Sequence, residues 1–127
     1  MTEVRVLSAT GMLGSGFKEA SFARGIALRP HVIGCDGGST DPGPAHLGTG
    51  EPFFSREATR RDLRLMLQGR DALDVPMIVG SCGMAGGDAG VAWMRDIVLE
   101  IAREQGYRFR LALIRSEQDK AYLKRRY

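Results

Sequence analysis

The chain has 127 residues, a formal net charge of +3, 43% hydrophobic residues and 26% charged residues. This is the length of one domain with a single core, and the composition is ordinary for a soluble globular protein. Its arginines alternate with acidic residues, as on a solvated helix face, which argues against a nucleic-acid partner. No signal peptide or membrane-spanning run is visible, so we expect no membrane partner. Two cysteines make no disulfide framework, and the default location is the reducing cytoplasm.

The first half of the chain alternates short apolar runs with a helical stretch. Residues 4–9 predict a strand, and residues 16–28 predict a helix with one apolar face. A proline ends this helix, and residues 31–36 predict a second strand. From Gly37 to about Pro52 the chain is too polar and too rich in glycine for a regular element, so we expect an irregular loop.

The second half continues the same alternation. Ser55 is a typical N-cap for a helix over residues 56–72. The apolar run 77–82 predicts a third strand that is buried on both faces. A second glycine-rich turn opens another helix, which Gly106 ends. Residues 108–119 predict a fourth strand, and the chain ends in the start of a basic helix.

This alternation of strands and helices favours right-handed βαβ units. The predicted fold is therefore one α/β domain over residues 1–127: Rossmann-like and three-layered, with a mostly parallel sheet of about four strands and helices on both faces. Parallel sheets bind ligands beyond the carboxyl ends of their strands, where the strand order reverses. A polar or glycine-rich loop follows each predicted strand, so we expect four loops to converge on one rim.

The loop after the second strand, CDGGSTDPGP, combines acidic residues, glycines and hydroxyls. A run of backbone amides and hydroxyls of this kind can bind an anion. Asp36 is our candidate for proton transfer, or for binding a divalent metal such as Mg²⁺ or Ca²⁺. The alternative is that its acidic residues bond the loop's own amides in Asx turns. The predicted ligand-binding residues here are Gly37, Gly38, Ser39, Thr40 and Asp41.

The loop after the first strand, SATGMLGSG, is similar to the phosphate-binding turn of dinucleotide-binding folds. Thr10 and Gly11 would then approach a cofactor phosphate, which makes NAD(P) a possible cofactor. Ser8 stands where that fingerprint has its first glycine, and the alternative is a plain turn between a strand and a helix.

The loops after the third and fourth strands supply further candidates. In GSCGMAGGD, Cys82 is either a nucleophile of lowered pKa or a buried thiol, and Asp88 is most simply an N-cap. In RSEQD, Arg115 could bind a carboxylate and Glu117 could transfer a proton, or the two could form an ion pair. The predicted ligand-binding residues of these loops are Ser81, Gly83, Gly86, Gly87 and Arg115, with Glu117 as the second catalytic candidate.

Three segments together, VLSATGMLGSGF, DGGSTDPGP and GSCGMAGGD, followed by EQDKAYLK, resemble the N-terminal part of the acyclic terpene utilisation (AtuA-type) family. The resemblance covers essentially the whole chain. It implies a cytosolic protein of the catabolism of branched terpenoid acids and related small carboxylates, and it implies no set of catalytic residues. Members of the family are considerably longer, so this chain would be an N-terminal portion or a small subunit.

The expected function is therefore the binding of a small anionic ligand, a carboxylate or an acyl thioester, in the glycine-rich loops. If the chain is an enzyme, a lyase, hydratase or hydrolase fits these groups. The alternatives are a dinucleotide-binding oxidoreductase domain and a non-catalytic assembly subunit. Because a short parallel sheet leaves an open edge, we also expect a homo-oligomer or a completing second chain.

Overall fold

The computed structural model describes residues 3–39 and 41–126. Within them lie three strands and five helices. None of these helices is both long and apolar enough to cross a membrane. The elements in chain order are β1 (Val6–Ser8), α1 (Glu19–Ala27), β2 (Val32–Asp36), α2 (Pro44–Thr49), α3 (Arg56–Leu73), β3 (Met77–Gly80), α4 (Asp88–Gln105) and α5 (Lys120–Arg126).

The sheet is parallel, and its strands lie in the order of the sequence, β1-β2-β3. Val6 is opposite Val32 in the first pair, and Ile33 is opposite Met77 in the second. The predicted α/β class and parallel sheet are confirmed, but the described residues contain three paired strands and not four. Residues 108–119, the predicted fourth strand, make no ladder with β3. The strand order also shows no reversal, so the predicted crevice at a reversal is absent from the described part of the sheet.

Only one face of this sheet carries the hydrophobic core. Ile33 and Cys35 of β2 are buried there beneath side chains of α1, α3 and α4. On the other face, Val6 and Ile78 are 66% and 63% exposed, and a Cβ added to Gly34 between them would meet no atom within 4 Å. Crossovers of one hand that always advance in the same direction place their helices on the same face. The predicted three layers, and a third strand buried on both faces, are therefore wrong for the described residues.

The two long helices follow the apolar pattern of the sequence closely. Ser55 caps α3, since its Oγ accepts a hydrogen bond from the Ala58 amide at 3.2 Å. Gly106 ends α4 in the left-handed conformation, with φ of 72°, as the sequence predicts. The buried side chains of the two helices form most of the core: Leu63, Met66, Leu67, Met94, Ile97, Val98 and Ile101.

The expected irregular loop contains a short helix, α2. Pro44 is at its first position, where a missing amide hydrogen costs no helical bond, and the left-handed Gly50 ends it. The prediction of an irregular loop failed for residues 44–49, because proline begins a helix here and glycine ends it. The rest of the stretch is irregular, as expected.

A ladder of charged side chains joins the outer surfaces of α3 and α4. Glu100 accepts hydrogen bonds from Arg56 and from Arg60, and Arg60 also bonds Glu104. The bonds from the two guanidinium groups lower the pKa of the Glu100 carboxyl from its ordinary value of 4.5 to about 2. This ladder joins α3 to α4 on the outer side of their shared core.

Candidate functional site

Three loops meet at the carboxyl end of the sheet, which we call the rim: residues 9–18, 37–43 and 81–87. The Leu13 amide donates to the carbonyl of Asp36 at 2.7 Å, which joins the first loop to the second. The Gly37 amide donates to the carbonyl of Gly80 at 2.7 Å, which joins the second loop to the end of β3. The predicted convergence of the loops after β1, β2 and β3 is therefore present.

Close backbone packing accounts for the two central glycines of the second loop. A Cβ on Gly37 would lie 2.6 Å from the Gly80 carbonyl oxygen, and one on Gly38 would lie 2.5 Å from the Met84 Cα. Neither contact allows a side chain, because backbone atoms cannot move aside cheaply. These glycines are required for the approach of the second loop to the third.

The amides of the second loop are already engaged within the chain. Gly38 donates to Asp36 Oδ1 at 3.0 Å, Ser39 donates to the Met84 sulfur at 3.3 Å, and Asp41 donates to Ser39 Oγ at 3.2 Å. The bond to Asp36 is the Asx-type turn that was the alternative to a ligand site. Asp36 and Asp41 are exposed at this edge, whereas Thr40 lies outside the described residues. The predicted cradle therefore cannot offer these three amides to a ligand without rearrangement.

A buried carboxylate that the sequence analysis did not single out organises the first loop. Asp62 of α3 has a fully buried side chain, and its Oδ2 accepts from the amides of Gly14 and Gly16 at 2.9 and 3.0 Å. Its Oδ1 accepts from Arg61 at 2.7 Å. The glycine-rich turn thus already binds an anion that belongs to the chain, which weighs against a cofactor phosphate at these amides. The sequence feature that could have identified Asp62 is its position on the apolar side of α3, next to Leu63.

Thr10 and Gly11 lie in the outer part of the first loop, whereas Leu13 of the same loop is buried in the core. Gly11 is exposed, and a Cβ there would meet no atom within 4 Å. The Thr10 hydroxyl lies 2.8 Å from the Ser15 hydroxyl and within 3.4 Å of the Met12 carbonyl. Both predicted ligand-binding residues of this loop are therefore accessible from solvent at the rim.

The two cysteines are poor nucleophiles. Burial, together with the charges of Asp36 and Asp62, raises the pKa of the Cys35 thiol to about 11. Burial also raises the pKa of Cys82. A nucleophile at neutral pH needs a lowered pKa, so the structure agrees with buried thiols at Cys35 and Cys82 and not with the alternative of a Cys82 nucleophile.

Ser81 begins the third loop with a strained backbone. Its φ of 46° is in the left-handed region although it is neither a glycine nor a helix cap. A Cβ on Gly38 would lie 2.6 Å from the Ser81 carbonyl oxygen, and one on Gly86 would lie 3.5 Å from the Ser81 Cα. The side chain is exposed in the middle of the rim. Gly83 is buried beneath it and holds Phe53, whose amide donates to the Gly83 carbonyl at 3.1 Å.

Several polar side chains make hydrogen bonds at the N-terminus of α4. The N-cap residue is Gly87 and not Asp88, which was predicted. Because glycine has no side chain, the N-cap residue itself makes no side-chain capping bond. The cap is supplied instead by Glu117, which lies 29 positions later in the sequence than Asp88. Its Oε1 accepts a hydrogen bond from the Asp88 amide at 2.7 Å. Arg115 donates to Asp88 Oδ2 at 2.8 Å, and Ser116 donates to the Gly86 carbonyl at 3.2 Å. The predicted pairing of Arg115 with Glu117 is therefore replaced by pairing of both residues with Asp88.

One acceptor at this helix end has no partner. Asp88 Oδ1 is buried and receives no hydrogen bond from the described residues. A buried carboxylate oxygen without a donor is costly, so a water molecule or a donor group of a ligand would be stabilised there. For metals, the described residues contain no cluster of three or more histidine, cysteine or acidic side chains. The metal predicted at Asp36 thus has one carboxylate at its position and stays a prediction.

The fold and the rim define a class of protein: an α/β fold whose parallel sheet is wound in one direction, with polar loops meeting at its carboxyl end. Searches against models of protein families, against curated proteins and against solved structures gave no match.

Proposed function

We propose that the chain binds a small anionic ligand, through its carboxylate or acyl-thioester group, at the rim beside the N-terminus of α4. The observation that carries this proposal is the Glu117 carboxylate on the Asp88 amide, at 2.7 Å. It supports the proposal because it demonstrates the fit of a carboxylate at this helix end. The positive end of a helix dipole favours an anion at such a position.

Neighbouring groups support a ligand that replaces Glu117. Arg115 is exposed and pairs with Asp88, so its guanidinium can turn to a ligand carboxylate. The unpartnered Asp88 Oδ1 would accept a hydrogen bond from a hydroxyl or amide of the same ligand. Around the positions that a Cβ on Gly86 or Gly87 would take, and apart from residues adjacent in sequence, the one side chain within 4 Å among the described residues is that of Glu117.

The resemblance to the acyclic terpene utilisation family belongs to the same proposal. A role in the catabolism of small branched carboxylates agrees with a carboxylate site of this kind. Asp36 and Glu117 stay our catalytic candidates in that case, with a lyase, hydratase or hydrolase reaction. The bonds of Asp62 to Gly14 and Gly16 give the dinucleotide alternative less support.

The test is a titration of the ¹⁵N-labelled chain with sodium acetate, followed by NMR at the amides of residues 86–88. Because Glu117 competes for the same amide, Glu117→Ala should tighten acetate binding about tenfold. Arg115→Ala should weaken it, whereas Arg125→Ala, an equal change of charge on the exposed α5, should not. Titrations with acetyl coenzyme A and with inorganic phosphate would separate acyl thioesters and other anions from carboxylates. If acetate moves none of these amide signals in Glu117→Ala, the proposal is wrong.

A further inference from the structure

We propose that residues 108–114, which we call the strap, move onto the free edge of β3 as a fourth parallel strand when an anion displaces Glu117 from α4. This inference rests on the proposed function, because it assigns a conformational response to the same site. It concerns the one segment whose predicted structure differs most from its observed structure.

The strap is in no helix or strand. Its neighbour β3 pairs with β2 on one side only, and no backbone hydrogen bond joins residues 108–114 to β3 within the described part of the chain. Leu111, Leu113 and Ile114 are 43%, 40% and 83% exposed. Two unpaired edges therefore lie next to each other, each with unused hydrogen-bonding groups.

An apolar groove of about 360 Å³ separates the strap from β3 and α4. Its walls include Met77 and Val79 of β3 and Met94 of α4, facing Leu111 and Leu113 of the strap. Water in an apolar groove is unfavourable, so closing the gap would remove apolar surface from water. The groove and the unpaired edges both favour closure.

The geometry of the chain also fits closure. A strap of five residues, 110–114, would extend about 16 Å, which spans the four residues of β3. The connection through α4 makes the new strand parallel, and its place beside β3 continues the order of the sheet. The occupant of the groove is thus the chain's own segment, which already lines it.

The two ends of the strap are held differently. At the start, Phe109 packs on the core, with the Arg70 guanidinium 5.6 Å from its ring centroid. Beyond the end, Arg115, Ser116 and Glu117 are fixed to the N-terminus of α4 by three polar contacts. In our proposal, these contacts keep the strap from pairing with β3. An anion on the Asp88 amide would release Glu117, and by linkage a closed strap would favour the anion.

Hydrogen exchange of the full chain, read by NMR, tests this inference. Glu117→Ala alone should slow exchange of the amides of residues 110–114 at least about tenfold, because they become ladder hydrogen bonds. Sodium acetate should do the same in the unmutated chain, which needs no variant to fold. Glu51→Ala removes an exposed carboxylate elsewhere and should change nothing. Leu113→Asp should keep these amides in fast exchange even with acetate, because the closed strap would bury the new charge.

The outcomes separate the two proposals. If acetate binds at residues 86–88 but the strap amides still exchange fast, the strap inference is wrong and the proposed function stands. If Glu117→Ala protects the strap while acetate does not bind, the strap closes but the proposed function is wrong. Fast exchange of the strap in both Glu117→Ala and the acetate-bound chain would exclude closure.

Discussion

At the level of single residues, Asp62 is the buried side chain that holds the first rim loop. It lies on the buried side of α3, yet its carboxylate stabilises the backbone of a loop that comes almost fifty positions earlier in the sequence. The amides of Gly14 and Gly16 both need an acceptor there, and the Asp62 side chain is fully buried. Removing it would leave two donors without a partner.

We expect Asp62→Ala to lower the free energy of unfolding by about 1–3 kcal/mol, because the buried Gly14 amide would lose its acceptor, whereas the exposed Gly16 amide can bond water. Urea denaturation followed by circular dichroism would measure it. Asp71→Ala on the same helix is the matched control, because its side chain is partly exposed and its contact with Arg70 is long, at 3.8 Å. Equal effects of the two substitutions would show that Asp62 does not hold the loop.

At the level of the elements, β2 and the loop after it contain two glycines in opposite environments. A Cβ on Gly38 would meet the backbone of Met84 at 2.5 Å, and one on Gly34 would meet nothing within 4 Å. Neither residue has a positive φ. The difference between them is therefore space alone.

Gly38→Ala should destabilise the chain by about 1–3 kcal/mol, as expected for overpacking against the backbone. Gly34→Ala should leave stability unchanged or raise it by about 0.5 kcal/mol, because alanine loses less entropy in a strand. Thermal unfolding of the two variants checks the contrast. A Gly38→Ala variant as stable as Gly34→Ala would mean that the second and third loops do not pack as described.

The ladder between α3 and α4 gives the molecule a pH dependence. The pKa of Glu100 is about 2 when folded and 4.5 ordinarily, so its charged form is favoured by folding. A lowered folded pKa adds stability above the unfolded pKa, and this stability is lost as the pH falls from about 4.5 toward 2.

Glu100→Gln should therefore be less stable than the unmutated chain at pH 7, and the difference should shrink as the pH falls below about 4.5. Urea titrations at pH 7 and pH 3 would show it. Glu51→Gln, at an exposed position outside the ladder, is the control and should show no such convergence. A difference that is constant with pH would mean that the Glu100 pKa is not lowered by its arginines.

At the level of the whole molecule, the strand order decides which surfaces are covered. A sheet wound in one direction has all its core-forming helices on one side, so Val6 and Ile78 project from an uncovered face. Apolar side chains exposed in this way favour association. This face is the surface that the homo-oligomer expected from the sequence would use.

Sedimentation of the chain should accordingly depend on concentration, and the double variant Val6→Lys, Ile78→Lys should remain monomeric. Because both side chains are more than 60% exposed, the substitutions should change the midpoint of thermal unfolding little. Leu99→Lys, at a partly exposed position of α4, is the control and should associate as before. Association that survives the double variant would exclude this face.

The sequence predicted the local elements better than their arrangement. Apolar periodicity, Ser55 and Gly106 locate α3 and α4, because caps and faces are encoded by residues close in sequence. The strand order is not encoded by residues close in sequence. The predictions of a reversal in the strand order and of a second layer of helices were therefore wrong. In the rim, the converging loops were predictable from parallel strands, whereas the role of Asp62 depends on a contact across 48 positions. The anion ligand and the oligomer stay predictions.

The consecutive order of the strands also bears on how the chain reaches its fold during synthesis. Each strand pairs with the one before it, so β1, α1 and β2 can form their unit before β3 has left the ribosome. No later strand has to insert between two that have already paired. The outer side of β1 is one edge of the described sheet, and the other edge is always the newest strand, which moves toward the C-terminus as the chain grows. Folding by successive addition at one growing edge is thus built into the order of the sheet.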